Sequence, residues 1–514
     1  MGAARVALLA ALALVFGTAL ALDAWAAAPS GKKIVAEHGC AACHGAQGQG
    51  TPSRGRPRLA GQPSAYLLAQ LEAFADGRRR NAVMNARAKQ LDVAGMRSVA
   101  DYYAALETPS AAAGSASSKL RARGRGIVAN GAWQKNLPSC EACHGPGARG
   151  IGAFPALAGQ NPKYLAAQLE AWQTGKRPGG PDDIMGQVAK SLSTSQVRAV
   201  AAWLASLPAT GPIPKSMRPD VAPATADALA GYFQPPLKRD VPKGQFGEAV
   251  KRGYLIFTQT PRYAADHVGN GLTCQACHVN GGRQANSSPM WAAWGMYPAY
   301  RSKNKKVNDF VMRLQGCFEF SENAPGSKSG HPPAANSKAI IDLESYIYWM
   351  SRNVPTGKAM KGRGYPDIAA PPKPFSRSRG HEVYATHCAV CHGGDGQGRK
   401  LADGRYAFPP LWGPNSYNWG AGMHGVNVAA AFIHANMPLG NPGILSVQDV
   451  WDVAAWIDSH PRPQDPRFNG DLEQTINRFH SKRKLDYYGK TVDGYVLGAP
   501  GTLKAWLRKR SGSR

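Results

Sequence analysis

Four copies of the motif Cys-x-x-Cys-His constrain the fold more than any other feature of the sequence. Two cysteines followed by a histidine are typical of a covalent attachment site for a c-type haem, with the histidine as one iron ligand. Zinc is a weaker interpretation, since every cysteine pair has its own histidine and none groups into a four-cysteine set. We therefore predict four covalently bound haem c groups, one in each of four units. The motifs are Cys40/Cys43/His44, Cys140/Cys143/His144, Cys274/Cys277/His278 and Cys388/Cys391/His392.

An internal repeat relates the first two units. The segment 59–66 returns at 157–164 and the segment 70–73 returns at 168–171, at the same offset of 98 residues. Apolar residues follow at helical spacing in both copies, which predicts one buried helix face in each. No alternating strand pattern is present, so we predict an all-α fold. Each unit closes on an aromatic helix, predicted at 99–106, 200–207, 343–351 and 450–459.

Linker-like stretches divide the chain. A Ser- and Ala-rich stretch at 110–118 is typical of a flexible linker. Eight prolines between 208 and 242 cannot lie inside a helical domain. For the basic tail we favour a surface helix, with docking to a partner or membrane surface as the alternative. The predicted divisions are a signal peptide at 1–28, haem domains at 29–110, 120–210, 243–362 and 375–466, a Pro-rich linker at 211–242 and a basic tail at 467–514.

The first thirty residues predict export to the periplasm. Arg5 precedes an apolar run from Val6 to Leu22 and then small residues, the pattern of a cleaved signal peptide. A membrane anchor is the alternative, but the run is shorter than the roughly 20 apolar residues that span a bilayer. The chain has 61 basic and 33 acidic residues, a net charge of +28. This charge favours small anions or an acidic redox partner, and export with four haems argues against nucleic acid.

Three methionines have the spacing expected of a second iron ligand, the choice of which sets much of a haem's reduction potential. Met84 follows His44 by 40 residues, and the other two follow their motif histidines by 41 and 45 residues, each ahead of a closing helix. A methionine at random is usually core filler. Because the three recur at matching positions, we predict that Met84, Met185 and Met437 ligate iron.

The third unit departs from this pattern at the one cysteine outside the motifs. Cys317 stands 39 residues after His278, where the other units have methionine, and Met312 is the competing ligand. A lone cysteine can be a small buried hydrophobe. Its position instead predicts a thiolate ligand, and a thiolate is also the nucleophilic form of sulfur. On a helix, the residues at i−4 and i+4 share its face, Arg313 and Ser321.

Basic side chains cluster just upstream of this cysteine. Arginine and lysine suit an oxyanion such as a sulfonate. A solvated basic loop is the competing interpretation. The candidates for substrate binding are Arg301 and Lys303, with Lys305 and Lys306 beside them.

Several segments resemble a known family. Arg313-Leu-Gln-Gly-Cys-Phe-Glu-Phe-Ser321 resembles thiosulfate dehydrogenase, the dihaem enzyme that joins two thiosulfates into tetrathionate. Units one and two are similar to the duplicated dihaem cytochromes c that accept its electrons. The resemblance covers nearly all of the mature chain and implies four class I cytochrome c-like haem domains in tandem. Unit four carries further matching segments, Phe408-Pro-Pro-Leu-Trp-Gly-Pro414, Ala421-Gly-Met-His424 and Phe432-Ile-His-Ala-Asn-Met-Pro-Leu-Gly440.

The resemblance implies roles for individual residues. Cys317 would ligate the active-site haem, and Arg313 and Ser321 would bind substrate beside it. Two departures stand out: the turn after Ser321 is longer than in most relatives, and Met423 and His424 lie where some relatives offer a lysine as alternative ligand.

The working hypothesis is oxidation of two thiosulfates to tetrathionate, with electrons leaving to a small cytochrome, a high-potential iron–sulfur protein or a terminal oxidase. Three alternatives stay open at this point. They are a non-catalytic electron conduit, a cytochrome that conjugates thiosulfate to a carrier protein, and the reverse reaction, tetrathionate reduction.

Overall fold

The structure, a computed structural model, describes residues 30–108, 116–132, 137–150, 154–177, 184–210, 231–236, 240–400, 404–439, 442–480 and 485–511. The predicted signal peptide lies outside the described residues, as do most of the two predicted linkers. No helix within the described ranges is long and apolar enough to cross a membrane.

Units one and two are each built from five helices. In unit one these are α1 (Gly31–Glu37), α2 (Ala41–His44), α3 (Ser64–Ala75), α4 (Ala82–Ala88) and α5 (Val93–Ala105). In unit two they are α6 (Ser118–Asn130), α7 (Cys140–His144), α8 (Pro162–Gln173), α9 (Ile184–Lys190) and α10 (Thr194–Ser206). In both units the first helix packs on the closing helix, and the haem motif lies on a short helix between them.

Unit three carries a longer insertion between motif and closing helix. Its elements are α11 (Gln245–Thr258), α12 (Thr260–Tyr263), α13 (Val279–Gly282), the antiparallel hairpin of β1 (Ala299–Arg301) and β2 (Lys306–Asn308), α14 (Phe310–Phe320) and α15 (Lys338–Met350). The motif here begins on a 3₁₀ turn, Cys274–Ala276, instead of a short α-helix.

Unit four extends further than its closing helix. Its elements are α16 (Arg377–His387), α17 (Ala389–His392), β3 (Arg399–Lys400), β4 (Tyr406–Phe408), α18 (Val426–Asn436), α19 (Val447–Asp458), α20 (Leu472–Phe479), β5 (Thr491–Val492), β6 (Tyr495–Val496) and α21 (Thr502–Ser511). Side chains from the predicted tail are buried in its core, among them Ile476, Tyr488 and Leu497. A surface helix describes only α21, in which no side chain is fully buried.

A close helix crossing shows that all four units share one architecture. In each, a glycine of the first helix lies so near the closing helix that a Cβ would overlap a backbone carbonyl oxygen. Glycine is therefore required for the close approach of the two backbones. The glycines and their facing carbonyls are Gly31 and Ser98, Gly124 and Ala199, Gly253 and Asp342, and Gly380 and Asp452.

The all-α prediction is confirmed, with two differences of detail. Each closing helix begins several residues earlier than predicted, because a capping side chain accepts a hydrogen bond from the first turn. The capping residues are Asp92, Ser193, Ser337 and Ser446. The six strands of the described chain form three hairpins of two or three residues per strand, too short to produce an alternating pattern.

The repeated motif of the first two units is their mutual interface. Gln62 exchanges two hydrogen bonds with the backbone of Ala156, at 2.8 and 2.9 Å. Its counterpart Gln160 does the same with the backbone of Arg58, at 2.8 and 3.0 Å. The two copies therefore face each other in a nearly symmetric way.

Candidate haem sites and the Cys317 pocket

The histidine of every motif is held in the same manner. The Nδ1 atom of each ring lies at hydrogen-bond distance from a backbone carbonyl oxygen, and this leaves Nε2 free to bind iron. The pairs are His44 and Pro57 at 3.0 Å, His144 and Pro155 at 2.8 Å, His278 and Ser288 at 2.7 Å, and His392 and Pro409 at 2.8 Å. A metal-ligating histidine typically has this second hydrogen bond.

A large cavity accompanies three of these histidines. It measures about 3800 Å³ and is lined by the motif cysteines and histidines of units one, two and four, and by Cys277 of unit three. Met84, Met185 and Met437 line the same cavity. The donor set and the space fit haem, and these three methionines would be available in the same space as second ligands.

Buried arginines provide a second test of the fit. Arg79 and Arg177 donate to Gln70, Gln168 and the tyrosines of the repeat, and none of these described partners is a carboxylate. Arg58 donates to backbone carbonyls, and burial lowers the pKa of its guanidinium to about 10. Buried cations need a counter-charge, and haem propionates would supply it here.

In unit three, Cys317 is paired with Arg313. Both lie on α14, which begins after the cap Asp309, and Arg313 Nη1 donates to Cys317 Sγ at 2.9 Å. Burial, followed by the charges of Glu322 and Cys317, raises the pKa of Cys277 to about 12. The Cys317 sulfur therefore lies within electrostatic range of the third haem motif.

The competing ligand, Met312, lies on a solvent-exposed face of α14. Met312 is 45% exposed, although it lies on the same helix. A helix places residues five apart on different faces. Of the two candidates, the structure brings only Cys317 to the motif.

Of the predicted basic residues, Lys303 reaches the site. It lies in the turn between β1 and β2, and its Nζ is 3.9 Å from the centre of the Phe320 ring. Burial, then the charges of Arg313 and Arg467, lower the pKa of Lys303 to about 7. Arg301 lies on β1, and none of the described contacts at this site involves its side chain.

Ser321 ends α14 one turn after the cysteine. Its N–H donates to the Cys317 carbonyl at 2.8 Å, and its own carbonyl accepts from Asn270 at 2.8 Å. The structure thus brings its backbone, but no described side-chain contact, to Cys317.

Unit four forms part of this site, which the sequence did not indicate. The buried Asn418 donates from Nδ2 to the Glu319 carbonyl at 2.9 Å and so fixes the end of α14. Arg467 Nη1 donates to the Lys303 carbonyl at 3.0 Å. In the sequence, Asp465 lies two residues before Arg467, which suggests a local ion pair. This spacing does not predict that Arg467 contacts a residue of unit three.

Met423 and His424, which lie where some relatives offer a lysine as alternative iron ligand, have different surroundings. Met423 lines the large cavity. His424 Nε2 lies 2.9 Å from Asp486 Oδ2, so its ring is engaged by the C-terminal segment.

A chain of aromatic rings connects unit two to unit four. The rings of His144 and Phe154 lie 6.1 Å apart, those of Phe154 and Phe408 5.4 Å, and those of Phe408 and His392 6.2 Å. The sulfur atoms of Cys143 and Cys391 are neighbours at the same interface. Two haem motifs therefore meet across the boundary between the halves of the chain.

The fold and these sites define a c-type cytochrome. The Cytochrome c family model matches residues 28–106, 122–208 and 378–461. Unit three is not among these matches, although it shares the glycine crossing of the other three.

Comparison with individual proteins narrows the class. The chain is 52% identical to thiosulfate dehydrogenase of Stutzerimonas stutzeri over 268 residues, 52% of this chain and 85% of that protein. It is 44% identical to the thiosulfate dehydrogenase electron acceptor of Thiomonas intermedia over 205 residues, 40% of this chain and 91% of that protein. The chain belongs to the thiosulfate dehydrogenase family, and it also contains a relative of the family's electron acceptor.

A solved structure spans both regions. Thiosulfate dehydrogenase TsdBA from Marichromatium purpuratum aligns with a TM-score of 0.55 and 46% identity, over 91% of this chain and 98% of that one. The resemblance to a fused acceptor and dehydrogenase is thus confirmed.

Proposed function

We propose that the chain is a periplasmic oxidoreductase that converts two thiosulfates into tetrathionate at unit three and passes two electrons along the other units. The observation that carries the proposal is the Arg313–Cys317 contact of 2.9 Å beside the third haem motif. It joins a nucleophilic sulfur to a group that binds oxyanions. The membership in the thiosulfate dehydrogenase family supports the substrate.

The proposed cofactors are four covalent haem c groups. His44 with Met84, His144 with Met185 and His392 with Met437 would ligate three of them, and His278 with Cys317 the third along the chain. A bound haem supplies a one-electron acceptor whose potential depends on the second ligand. A thiolate favours ferric iron, which suits a reaction centre better than a relay.

The protein groups would act in a defined order. Arg313 and Lys303 hold the sulfonate end of the first thiosulfate, and its terminal sulfur bonds to Cys317 Sγ as two electrons leave. The terminal sulfur of a second thiosulfate then attacks the adduct sulfur that is bonded to Sγ, and the bond between that sulfur and Sγ breaks. The new S–S bond releases tetrathionate and restores the Cys317 thiolate, so one difficult step is divided into two.

The proposed electron route runs from unit three to unit four, then to units two and one. The rings between His144 and His392 support the crossing from unit four to unit two. Unit one packs on unit two through Gln62 and Gln160. An acidic redox partner would accept the electrons, because the chain carries a net charge of +28.

The decisive experiment replaces Cys317 with Gly and with Met in the full haem-loaded protein. Thiosulfate is added anaerobically, haem reduction is followed by absorption, and tetrathionate is quantified. We expect haem reduction to slow on the order of 100-fold or more in both variants, as when other nucleophiles are removed. Met312→Ala, an exposed change on the same helix, should react like the wild type.

Dithionite should still reduce every haem in both Cys317 variants, which separates a lost reaction from lost haem. Undiminished reduction by thiosulfate in Cys317→Gly would contradict the proposal and favour a simple electron conduit. Loss of thiosulfate without formation of free tetrathionate would favour conjugation to a carrier. Running the assay with tetrathionate and a reductant compares the two directions.

A further inference from the structure

A buried cluster of ion pairs lies in unit four near the Cys317 site, which consists of Arg313, Cys317, Lys303 and Phe320. His480 Nδ1 is 2.6 Å from Asp486 Oδ2, and His480 Nε2 is 2.9 Å from Asp465 Oδ2. His424 Nε2 reaches Asp486 Oδ2 at 2.9 Å. The His480 side chain is fully buried and faces a carboxylate at each nitrogen, so both nitrogens donate and the ring carries a proton on each.

The cluster is too tight to be a metal site. Ligands of a tetrahedral zinc ion, bound at about 2.0–2.1 Å, are separated by roughly 3.3 Å. The N···O separations of 2.6 and 2.9 Å around Asp486 are hydrogen-bond distances instead. The three groups that resemble a ligand set, His424, His480 and Asp486, are therefore a network of ion pairs.

Arg467 connects this network to the Cys317 site. Its Nε and Nη2 donate to the two oxygens of Asp465, at 2.9 and 2.6 Å. Its remaining Nη1 donates across the unit boundary to the backbone carbonyl of Lys303 at 3.0 Å. The guanidinium also lies 5.1 Å from the ring centre of Phe320, the ring that the Lys303 ammonium contacts.

The carboxylate of Asp465 fixes the orientation of the Arg467 guanidinium. A planar fork that is bidentate to a carboxylate has little rotational freedom, and Asp465 is itself held by His480. All the nitrogens of Arg467 have protein partners in this arrangement, so it is not a free anion binder. What Arg467 does for the Cys317 site is to position the turn that carries Lys303.

We propose that Arg467 is a positioning residue through which unit four completes the substrate pocket of unit three. Its hydrogen bond to the Lys303 carbonyl fixes the β1–β2 turn. The Lys303 ammonium therefore stays beside Phe320 and within electrostatic range of Cys317. The Asp465–His480–Asp486–His424 network holds the guanidinium of Arg467 in this orientation. This inference rests on the proposed function, in which Lys303 binds the charged end of thiosulfate.

The test is a double-mutant cycle in the full haem-loaded protein. The variants are Arg467→Gln, Lys303→Gln, the double variant and Arg467→Lys, with Arg478→Gln on α20 as an exposed control. We expect KM for thiosulfate to rise about tenfold in each single variant, as for the loss of one charged hydrogen bond. The double variant should be no worse than Lys303→Gln, with kcat within about twofold throughout.

Arg467→Lys separates geometry from charge. A lysine keeps the positive charge but cannot bridge Asp465 and the Lys303 carbonyl, so KM should stay raised. Restoration of KM by lysine, or additive effects in the double variant, would overturn the positioning role. Haem content, the thermal midpoint and the visible spectrum identify a variant that is merely misfolded.

The same data separate the two hypotheses. If Lys303→Gln binds thiosulfate like the wild type, the proposed role of Lys303 is wrong. If Lys303→Gln is impaired while Arg467→Gln is not, only the positioning inference is wrong. Wild-type protein that fails to oxidise thiosulfate would instead contradict the proposed function itself.

Discussion

At the residue scale, the Cys317 sulfur has a charged neighbour that can serve two purposes. The Arg313 guanidinium donates to Sγ at 2.9 Å, and the charge of Cys317 raises the pKa of Arg313. This charged donor holds the sulfur in place through a hydrogen bond. In the proposed mechanism the same guanidinium holds the sulfonate while the sulfur is attacked, so one side chain would act on nucleophile and substrate.

Lys303 predicts a pH dependence at this site. Burial, together with Arg313 and Arg467, lowers its pKa to about 7, while the charges of Cys317 and Asp465 act in the opposite direction. Glu319 also lies within electrostatic range. The protonated amine attracts the dianionic substrate, so kcat/KM should be highest below pH 7. It should fall as the pH rises through about 7 and the charge is lost.

The measurement is a pH profile of kcat/KM for thiosulfate. Lys303→Arg should keep the activity at higher pH, because guanidinium stays protonated there. Lys306→Gln, an exposed change on β2, should leave the profile unchanged. A profile of Lys303→Gln that still falls near pH 7 would assign the titration to another group.

How much of the site could be predicted depends on the distance along the chain. Arg313 and Cys317 are one helical turn apart, so their contact followed from spacing and was found. The partners from unit four were missed, since Arg467 and Lys303 are 164 positions apart and neither belongs to a motif. Arg301 and Lys303 were equivalent in the sequence, and only the course of the hairpin distinguishes them.

At the element scale, the crossing of first and closing helices makes a prediction about two glycines on α6. A Cβ on Gly124 would overlap the Ala199 carbonyl, whereas one on Gly126 would meet nothing within 4 Å. We expect Gly124→Ala to force the helices apart and cost about 2 kcal/mol or more. Gly126→Ala should stabilise the helix at this exposed position by up to about 1 kcal/mol.

Thermal unfolding of both variants, followed by helical circular dichroism, tests this pair. Unfolding of a chain with several units is not two-state, so midpoints rather than free energies are compared. The midpoint of unit two should fall in Gly124→Ala and hold or rise in Gly126→Ala. Equal midpoints would mean that the crossing tolerates a methyl group and that the shared glycine has another cause.

The same crossing explains why element positions were easier to predict than element limits. Aromatic residues on the buried face identified every closing helix. The beginnings are set by single capping side chains such as Asp92 and Ser446, which a hydrophobic pattern does not register. The sequence did not predict that the segment after residue 466 belongs to the core. Its many basic residues give it a polar composition, although a few apolar residues such as Ile476 and Leu497 are buried.

At the scale of the whole molecule, the contacts between units do not simply follow their order in the sequence. Unit two contacts unit four through Phe154 and Phe408. Unit four contacts unit three through Asn418 and Arg467. Fusion of the two halves therefore replaces a diffusive encounter with a fixed contact between haem motifs, which raises the effective concentration of the acceptor.

If Met84 and Met185 are the ligands proposed above, this arrangement predicts which of them controls the flow of electrons along the proposed route. Replacing a methionine ligand with histidine lowers the haem potential, and each ~59 mV lost makes a one-electron step about tenfold less favourable. In Met185→His, electrons from unit four should meet a barrier at unit two, so that both front haems lag after mixing with thiosulfate. In Met84→His, the matched change in the other copy, only unit one should lag. Rapid mixing that counts the haems reduced in the fast phase distinguishes the variants, and an exchange of the two outcomes would mean that electrons enter the front half through unit one.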